Sequence, residues 1–334
     1  MLTTVTPQWR FLILALFATI VVIVMIFVSH GLTQAQQSQR MAQISQQVPQ
    51  FIFASSSPPT GGTTSDALTA QESPAADRIS LTSGTAAEPK GLTAHAALVA
   101  DLEKGSEFFA LHAERQWPLA SITKLMTAAI VTRDTDPDKV IVVHKIPASL
   151  ASQDSGSVLL QEGERYHVRD LLKLLLLVSS NEAAEALAND YGFDNFIDEM
   201  NRQAAVWGMA STHYDEPTGL SVSNQSNTRD MRILAEKIYT TFPAIFKTTQ
   251  RQRATITELN SSATRDIDSI NAFAGRSDFL GGKTGFTTEA QGNLLSLFDA
   301  DGRPVIVIVL GTKNRFGESE KLINWFHNDY RASN

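Results

Sequence analysis

Three short stretches of this chain combine residue types that can do covalent chemistry at a carbonyl group. In Ser121-Ile122-Thr123-Lys124 the serine and the lysine are three residues apart, so on a helix they share one face, a turn apart. There a neutral lysine amine can take the serine proton and leave a competent nucleophile. A lysine in water is a cation, so this base works only where burial or a second positive charge favours the neutral amine. The bland alternative for the same residues is a helix cap beside a solvated lysine. Ser179-Ser180-Asn181 falls between two apolar helical stretches and reads as a break from which Ser179 and Asn181 project between rigid flanks. Taken alone, it is equally a polar helix-helix turn. Gly281-Gly282-Lys283-Thr284-Gly285-Phe286-Thr287 contains the Gly-Lys-Thr of a phosphate-binding loop, but the glycine required five residues before Gly282 is Ser277. It also reads as a strand entering a hairpin. Lys283 is then a fixed positive charge and Thr284 a hydroxyl for a substrate carboxylate, while Gly285 admits a close backbone approach. A second Ser-x-Asn, Ser269-Ile270-Asn271, sits on no comparable helix break and is set aside.

The elements around these stretches decide whether they can meet. Pro118, the possible caps Ser121 and Thr123, and the apolar run Leu125, Met126, Ala128, Ala129 and Ile130 predict a buried helix with Ser121 at its mouth. Free backbone N–H groups at such a mouth favour negative charge developing on an attacked carbonyl oxygen. Before it, Ala96–Ala100 and Phe108–Leu111, separated by Lys104-Gly105, predict a β-hairpin. After it, helices are predicted over Val168–Val178, Glu182–Asn189 and Thr228–Tyr239. Strands return at Leu280–Thr287, Asn293–Phe298 and, past a turn at Asp301-Gly302, Val305–Leu310. A closing helix over Glu318–Asn328 turns Leu322, Trp325 and Phe326 inward. Strands at both ends with helices between predict an α/β (α+β) unit: one antiparallel sheet, its edges drawn from distant parts of the chain, flanked by helices.

Composition narrows the field. The 334 residues carry a formal charge of −7, 43% hydrophobic residues and no cysteine, which excludes disulfides and thiol chemistry. No Lys/Arg stripe is present, so no nucleic-acid partner is expected. The seven histidines lack metal-ligand spacing, so neither a metal nor a cofactor is expected. Phe11–Val28 is uncharged and apolar except for Thr19, and 18 helical residues reach about 27 Å, nearly the bilayer core. Residues 1–30 therefore read as a single-pass membrane anchor or a long signal peptide. Residues 31–90, rich in Gln, Ser, Thr, Pro and Ala, read as a disordered tether. Residues 91–330 form the folded unit, with 331–334 a tail.

Taken in order, Ser-x-x-Lys, Ser-x-Asn and Lys-Thr-Gly resemble the active site of the penicillin-recognising serine enzymes. Leu119–Thr127, Leu175–Ala184, Glu216-Pro217-Thr218-Gly219-Leu220, Gly282–Thr288 and Arg315–Leu322 are similar to the serine D-alanyl-D-alanine carboxypeptidase family, the low-molecular-mass penicillin-binding proteins. The resemblance implies a β-lactamase/transpeptidase-like fold with an all-helical subdomain. It also implies removal of the terminal D-alanine from peptidoglycan stem peptides, with β-lactams as inhibitors and the catalytic unit outside the cytoplasm. Ser121 is then the nucleophile, Lys124 its base and Ser179 the proton shuttle to the leaving amine. Asn181 holds Lys124 and the substrate amide, and Lys283 and Thr284 bind the carboxylate, with Arg315 a further candidate. The oxyanion hole falls to the N–H groups of Ser121 and Phe286, beside Gly285. Many members carry a second β-rich domain and a C-terminal amphipathic anchor, for which nothing after Tyr330 is a counterpart. The alternatives are a DD-endopeptidase, a class A-like β-lactamase and a catalytically silent wall-binding module. The β-lactamase reading turns on Glu216-Pro217, which lies about where that class keeps its deacylating glutamate. The family loop commonly reads Asn-Pro-x-Gly-Leu. Gly219-Leu220 predicts that Glu216 caps the turn and points to solvent, leaving a slowly cleared acyl-enzyme.

Overall fold

A computed structural model describes residues 87–144 and 160–331. The apolar stretch Phe11–Val28, the tether as far as residue 86 and residues 332–334 lie outside the described residues. Among those described, no helix is long and apolar enough to cross a membrane. Strands β1 (Ala96–Asp101) and β2 (Glu107–Leu111) make the expected hairpin. The short β3 (Trp117–Pro118) then leads through a 3₁₀ turn, Ala120–Thr123, into helix α1 (Lys124–Asp134). Strands β4 (Val140–Val142) and β5 (Arg165–His167) pair ahead of α2 (Val168–Leu177), α3 (Asn181–Tyr191) and α4 (Phe193–Val206). Strand β6 (Gln225–Ser226) returns to β3, and α5 (Thr228–Thr241) and α6 (Pro243–Thr249) precede a hairpin of β7 (Arg253–Thr257) and β8 (Thr264–Asp268). The chain closes with β9 (Phe279–Thr287), β10 (Gln291–Asp299), β11 (Pro304–Thr312) and α7 (Arg315–Trp325), which runs into a π-helical turn, Phe326–Tyr330.

The main sheet is antiparallel with strand order β2-β1-β11-β10-β9, so the N-terminal hairpin and the C-terminal meander meet at β1 and β11. Side chains alternate across it. Leu98, Leu295, Ile306, Ile308 and Leu310 pack with the helical layer, whereas Val99, Val305, Val307 and Val309 pack with Trp325 and Phe326 of the closing helix. Burial on both faces explains why Val305–Leu310 reads as an unbroken apolar run.

Several boundaries differ from the sequence expectation. The α-helix at the first motif begins at Lys124 rather than at Ser121, and neither Leu119, before the 3₁₀ turn, nor Thr123, before α1, makes a side-chain cap hydrogen bond. Asn181 is the first residue of α3 rather than a loop residue, because Ser180 caps that helix by accepting from the Ala183 N–H at 3.0 Å. The folded unit also reaches back past Gly91, whose carbonyl accepts from Lys321 Nζ at 3.0 Å: Trp325 Nε1 donates to Ala87 O at 2.7 Å, fixing a residue the sequence placed in the tether.

Candidate active site

The Ala120–Thr123 turn is tied down from two sides. Asn293 Nδ2 on β10 donates to Pro118 O (2.8 Å) and Leu119 O (3.0 Å), and its Oδ1 accepts from Gly311 N on β11. From the loop before α5, Asn224 O accepts from Leu119 N, while Asn224 Nδ2 donates to Thr123 Oγ1. That bond occupies the hydroxyl that the sequence offered as a cap. Ala120 sits at φ 48°, a left-handed conformation that costs on the order of 1–3 kcal/mol in a non-glycine residue and persists only because the surroundings enforce it.

Next to this turn Lys124 is wholly buried, at 0% exposure. Its Nζ lies 2.9 Å from Ser121 Oγ, 2.7 Å from Asn181 Oδ1 and 2.6 Å from Thr218 O. A buried ammonium without partners would be very costly, and three oxygens at this range satisfy the group in either protonation state. In the neutral state two of the oxygens take its two N–H groups and the lone pair is left for the serine hydroxyl. A second cluster adjoins the first. Lys283, 1% exposed, donates from Nζ to Ser179 Oγ at 2.8 Å and to Thr284 O at 2.9 Å. Ser179 is held at φ 60°, between the end of α2 and its neighbour Ser180, whose N–H reaches back to Leu174 O.

The third motif lies along the β9 edge. A Cβ built on Gly285 would fall 2.9 Å from Leu119 O and 3.2 Å from both Ala120 Cβ and Ser121 N. The glycine therefore lets β9 lie against the nucleophile turn, where the sequence reading had it admitting a substrate backbone. That approach puts the Phe286 end of β9 beside Ser121, and Phe286 is 60% exposed. Arg315, at the start of α7, donates from Nη1 to Gly285 O at 3.0 Å and stacks its guanidinium over Phe316. Two buried-lysine clusters joined through Ser179–Asn181, with an exposed strand edge and a guanidinium alongside, can attack a carbonyl and hold a carboxylate. A family model described as D-alanyl-D-alanine carboxypeptidase matches residues 83–314.

The chain belongs to this family. A D-alanyl-D-alanine endopeptidase of Pseudomonas aeruginosa is 32% identical over 245 residues, covering 70% of this chain and 77% of that protein. An endopeptidase of the same description from Escherichia coli is 32% identical over 252 residues, covering 72% and 79%. Penicillin-binding protein D2 of Listeria monocytogenes, solved in its ampicillin-bound form, superposes with a TM-score of 0.61 at 32% identity, covering 70% of this chain and 97% of that one. The family is one of serine hydrolases, so the chain is an enzyme of that class.

The nine site residues singled out in the sequence lie on the elements that converge here, whereas the expectation for the Glu216 side chain fails. Lys283, read as a fixed positive charge, is buried at 1% exposure and bonded to Ser179 Oγ, because burial demands acceptors for its charge. Glu216 does not point to solvent: it turns back into its own loop and accepts from Thr218, Gly219, Ser221 and Asn224. Both carboxylate oxygens are engaged by these donors, which argues against a free deacylating base. The neighbouring carboxyl of Glu185, on α3, is raised by burial and then by the charge of Glu216. Three supporting residues had escaped the sequence reading: Asn224, Asn293 and Thr127, whose Oγ1 donates to Pro217 O at 2.7 Å. Thr123 and Thr127 were the available signal, two hydroxyls four residues apart on an otherwise apolar helix face. Among the described residues no group of three or more metal-ligating side chains converges.

Proposed function

We propose that this chain is a D-alanyl-D-alanine carboxypeptidase of peptidoglycan stem peptides, working through an ester on Ser121. The observation that carries this reading is the Lys124 amine, fully buried and 2.9 Å from the Ser121 hydroxyl. Ser121 Oγ attacks the carbonyl carbon of the penultimate D-alanine as its proton passes to Lys124. The carbonyl oxygen becomes an oxyanion held by the N–H groups of Ser121 and Phe286. On collapse the C–N bond breaks, and a proton relayed through Ser179 leaves with the D-alanine amine. Water then attacks the ester with Lys124 again as base, releasing the shortened peptide and restoring the serine proton. Thr284 Oγ1 and Arg315 hold the terminal carboxylate. Lys283, bonded to Ser179 Oγ, keeps that hydroxyl oriented and adds positive charge near Lys124, which favours the neutral amine.

The endopeptidase relatives favour a second reading, cleavage of a D-alanyl cross-link by the same steps with a larger leaving amine. The ampicillin-bound relative supports β-lactams as covalent inhibitors here. The apolar length of Phe11–Val28 supports an anchor in the cytoplasmic membrane with the catalytic unit outside the cytoplasm, where the cell wall lies.

The test is fluorescent-penicillin labelling of the full chain and its Ser121→Ala variant, followed by D-alanine release from a pentapeptide and cleavage of a cross-linked dimer. Labelling that vanishes in Ser121→Ala, with D-alanine release by the wild type, supports the proposal. Labelling that persists in the variant refutes Ser121 as nucleophile, and dimer cleavage without D-alanine release selects the endopeptidase.

A further inference from the structure

Glu216 takes no part in the steps above, yet its carboxylate collects five donors. Oε2 accepts from Thr218 N (2.6 Å) and Thr218 Oγ1 (2.5 Å), while Oε1 accepts from Gly219 N (2.6 Å), Ser221 N (3.3 Å) and Asn224 Nδ2 (3.0 Å). The Gly219 bond sets a direction. Gly219 N–H and Thr218 C=O belong to one peptide unit, and in a planar trans peptide they point to opposite sides. Glu216 holds the N–H side, and on the other side Thr218 O accepts from Lys124 Nζ at 2.6 Å. A continuous chain of hydrogen bonds thus runs from the carboxylate through one peptide to the amine and on to Ser121 Oγ.

The proton count at Lys124 gives this chain its consequence. A neutral amine has two N–H groups and one lone pair. Of the three oxygens within 2.9 Å of Nζ, Asn181 Oδ1 and Thr218 O carry no proton, so while both take an N–H the lone pair is left for Ser121. If Thr218 O swings away, the amine can turn an N–H toward Ser121 instead and no longer acts as its base. A hydrogen bond to an ionised acceptor is about twice as strong as a neutral one, and polarising the peptide makes its carbonyl a better acceptor. The peptide is also pinned from the other flank. Gly219 has φ 89°, and a Cβ there would lie 1.9 Å from Ala120 O.

We propose that Glu216 is the positioning residue of the general base, holding the Thr218 carbonyl on Lys124 through the Thr218–Gly219 peptide so that the amine lone pair faces Ser121. The inference rests on the acyl-enzyme reading above. It also predicts that Glu216→Gln, though equal in size, is not a neutral change. Glutamine has one acceptor oxygen, and its NH₂ would face donors whichever way the amide is turned.

The experiment is the pH profile of acylation by a fluorescent penicillin, measured by stopped flow on the full chain with wild type, Glu216→Gln and Glu216→Asp. Other ionisable groups on the elements around Lys124 include Lys283 on β9, Glu182, Glu185, Asp190 and Tyr191 on α3, Asp170 and Lys173 on α2, Glu199 and Arg202 on α4, Asp230 on α5 and Asp215 in the loop, and none of them is altered. In Glu216→Gln the plateau rate falls by about tenfold or more, as expected when a base is misaligned. Its acid limb moves to lower pH, because a negative charge that favoured the ammonium has gone. In Glu216→Asp the charge stays, so the plateau falls and the acid limb keeps its place. A Gln plateau within about threefold of wild type, small beside the roughly 10²-fold or more that a base supplies, overturns the proposal. So does an acid limb that stays or moves to higher pH, the mark of a loosened loop that merely hydrates Lys124. Should Glu216→Gln fail to fold, Glu216→Asp decides: a wild-type plateau or a limb moved upward overturns the proposal. A wild type that is not labelled at all defeats the proposed function instead.

Discussion

Gly285→Ala tests whether catalysis depends on how closely β9 lies against the nucleophile turn. The new Cβ would stand 2.9 Å from Leu119 O, 3.2 Å from Ala120 Cβ and 3.2 Å from Ser121 N. Normal contact needs roughly 3.5 Å, so strand and turn must part by about half an ångström. Two of the three obstructing atoms are backbone, on a turn fixed by Asn224 and Asn293, so no flexible side chain can absorb the shift. Half an ångström is about the tolerance of a catalytic constellation, and a full ångström costs about 100-fold. Acylation by penicillin should therefore slow by roughly tenfold as the Phe286 N–H leaves its alignment with the Ser121 N–H. Overpacking of this kind costs about 1–3 kcal/mol, a fall of several degrees in Tm that leaves the protein folded at 25 °C. The measurements are stopped-flow acylation and a thermal melt on the same preparation. Acylation within twofold of wild type would refute the placement of the oxyanion site between Ser121 and Phe286. So would a tenfold loss reversed by a bulkier substrate.

Lys124→Ala should cut acylation by about 10²- to 10⁴-fold in stopped flow, the range for losing a general base; a loss below tenfold would remove the base from this residue. Arg315→Ala should lower kcat/KM by roughly 10- to 100-fold on a peptide with a free terminal carboxylate, as a charged hydrogen bond worth about 1.5–3 kcal/mol is lost. An amidated peptide should be far less affected, and equal losses on both would exclude the carboxylate role. Glu199 provides a pH test. Its carboxyl is held down to about 2, first by hydrogen bonding from Arg202 and also from Arg133 at the end of α1. A depressed carboxyl contributes stability that is full above its ordinary 4.5 and disappears as pH falls through about 2. The Tm gap between wild type and Glu199→Gln should therefore be open at pH 6 and close between pH 4.5 and 2; a gap independent of pH would show that the carboxylate charge contributes nothing.

The main sheet was legible because its strands are long and apolar and its turns carry glycine, as at Gly105 and Gly302, both at positive φ. Elements of the helical layer were harder to read. Helix α4 buries only Phe196, Met200, Gln203 and Ala204, a stripe too thin to stand out among its charged residues. Strands β7 and β8 alternate as strands should, with Ala254 and Ile256 inward. But Arg253 and Asp268 pair across the ribbon, and a strand so rich in exposed polar groups resembles a loop in sequence. Asn314 caps α7 by accepting from Gly317 N, and this drew the closing helix three residues earlier than its apolar face implied.

The same reasoning separates what could be read of the site from what could not. Ser121, Lys124, Ser179, Asn181 and Lys283 announce themselves because their chemistry depends on short spacing or motif order. Sequence distance says nothing about Asn224 and Asn293, which join segments about 100 and 175 residues apart and work entirely through tertiary hydrogen bonds. Glu216 lies between these cases. Glu-Pro-Thr-Gly-Leu announces a turn, and the structure keeps the turn, but spacing alone could not tell whether the carboxylate faces solvent or folds inward. The deciding residue is Asn224. Its amide donates to the Glu216 carboxylate and to the Glu216 carbonyl, while its oxygen accepts from the N–H groups of Asp215 and Glu216. One buried asparagine thereby closes the loop on itself and turns the glutamate toward the peptide that reaches Lys124.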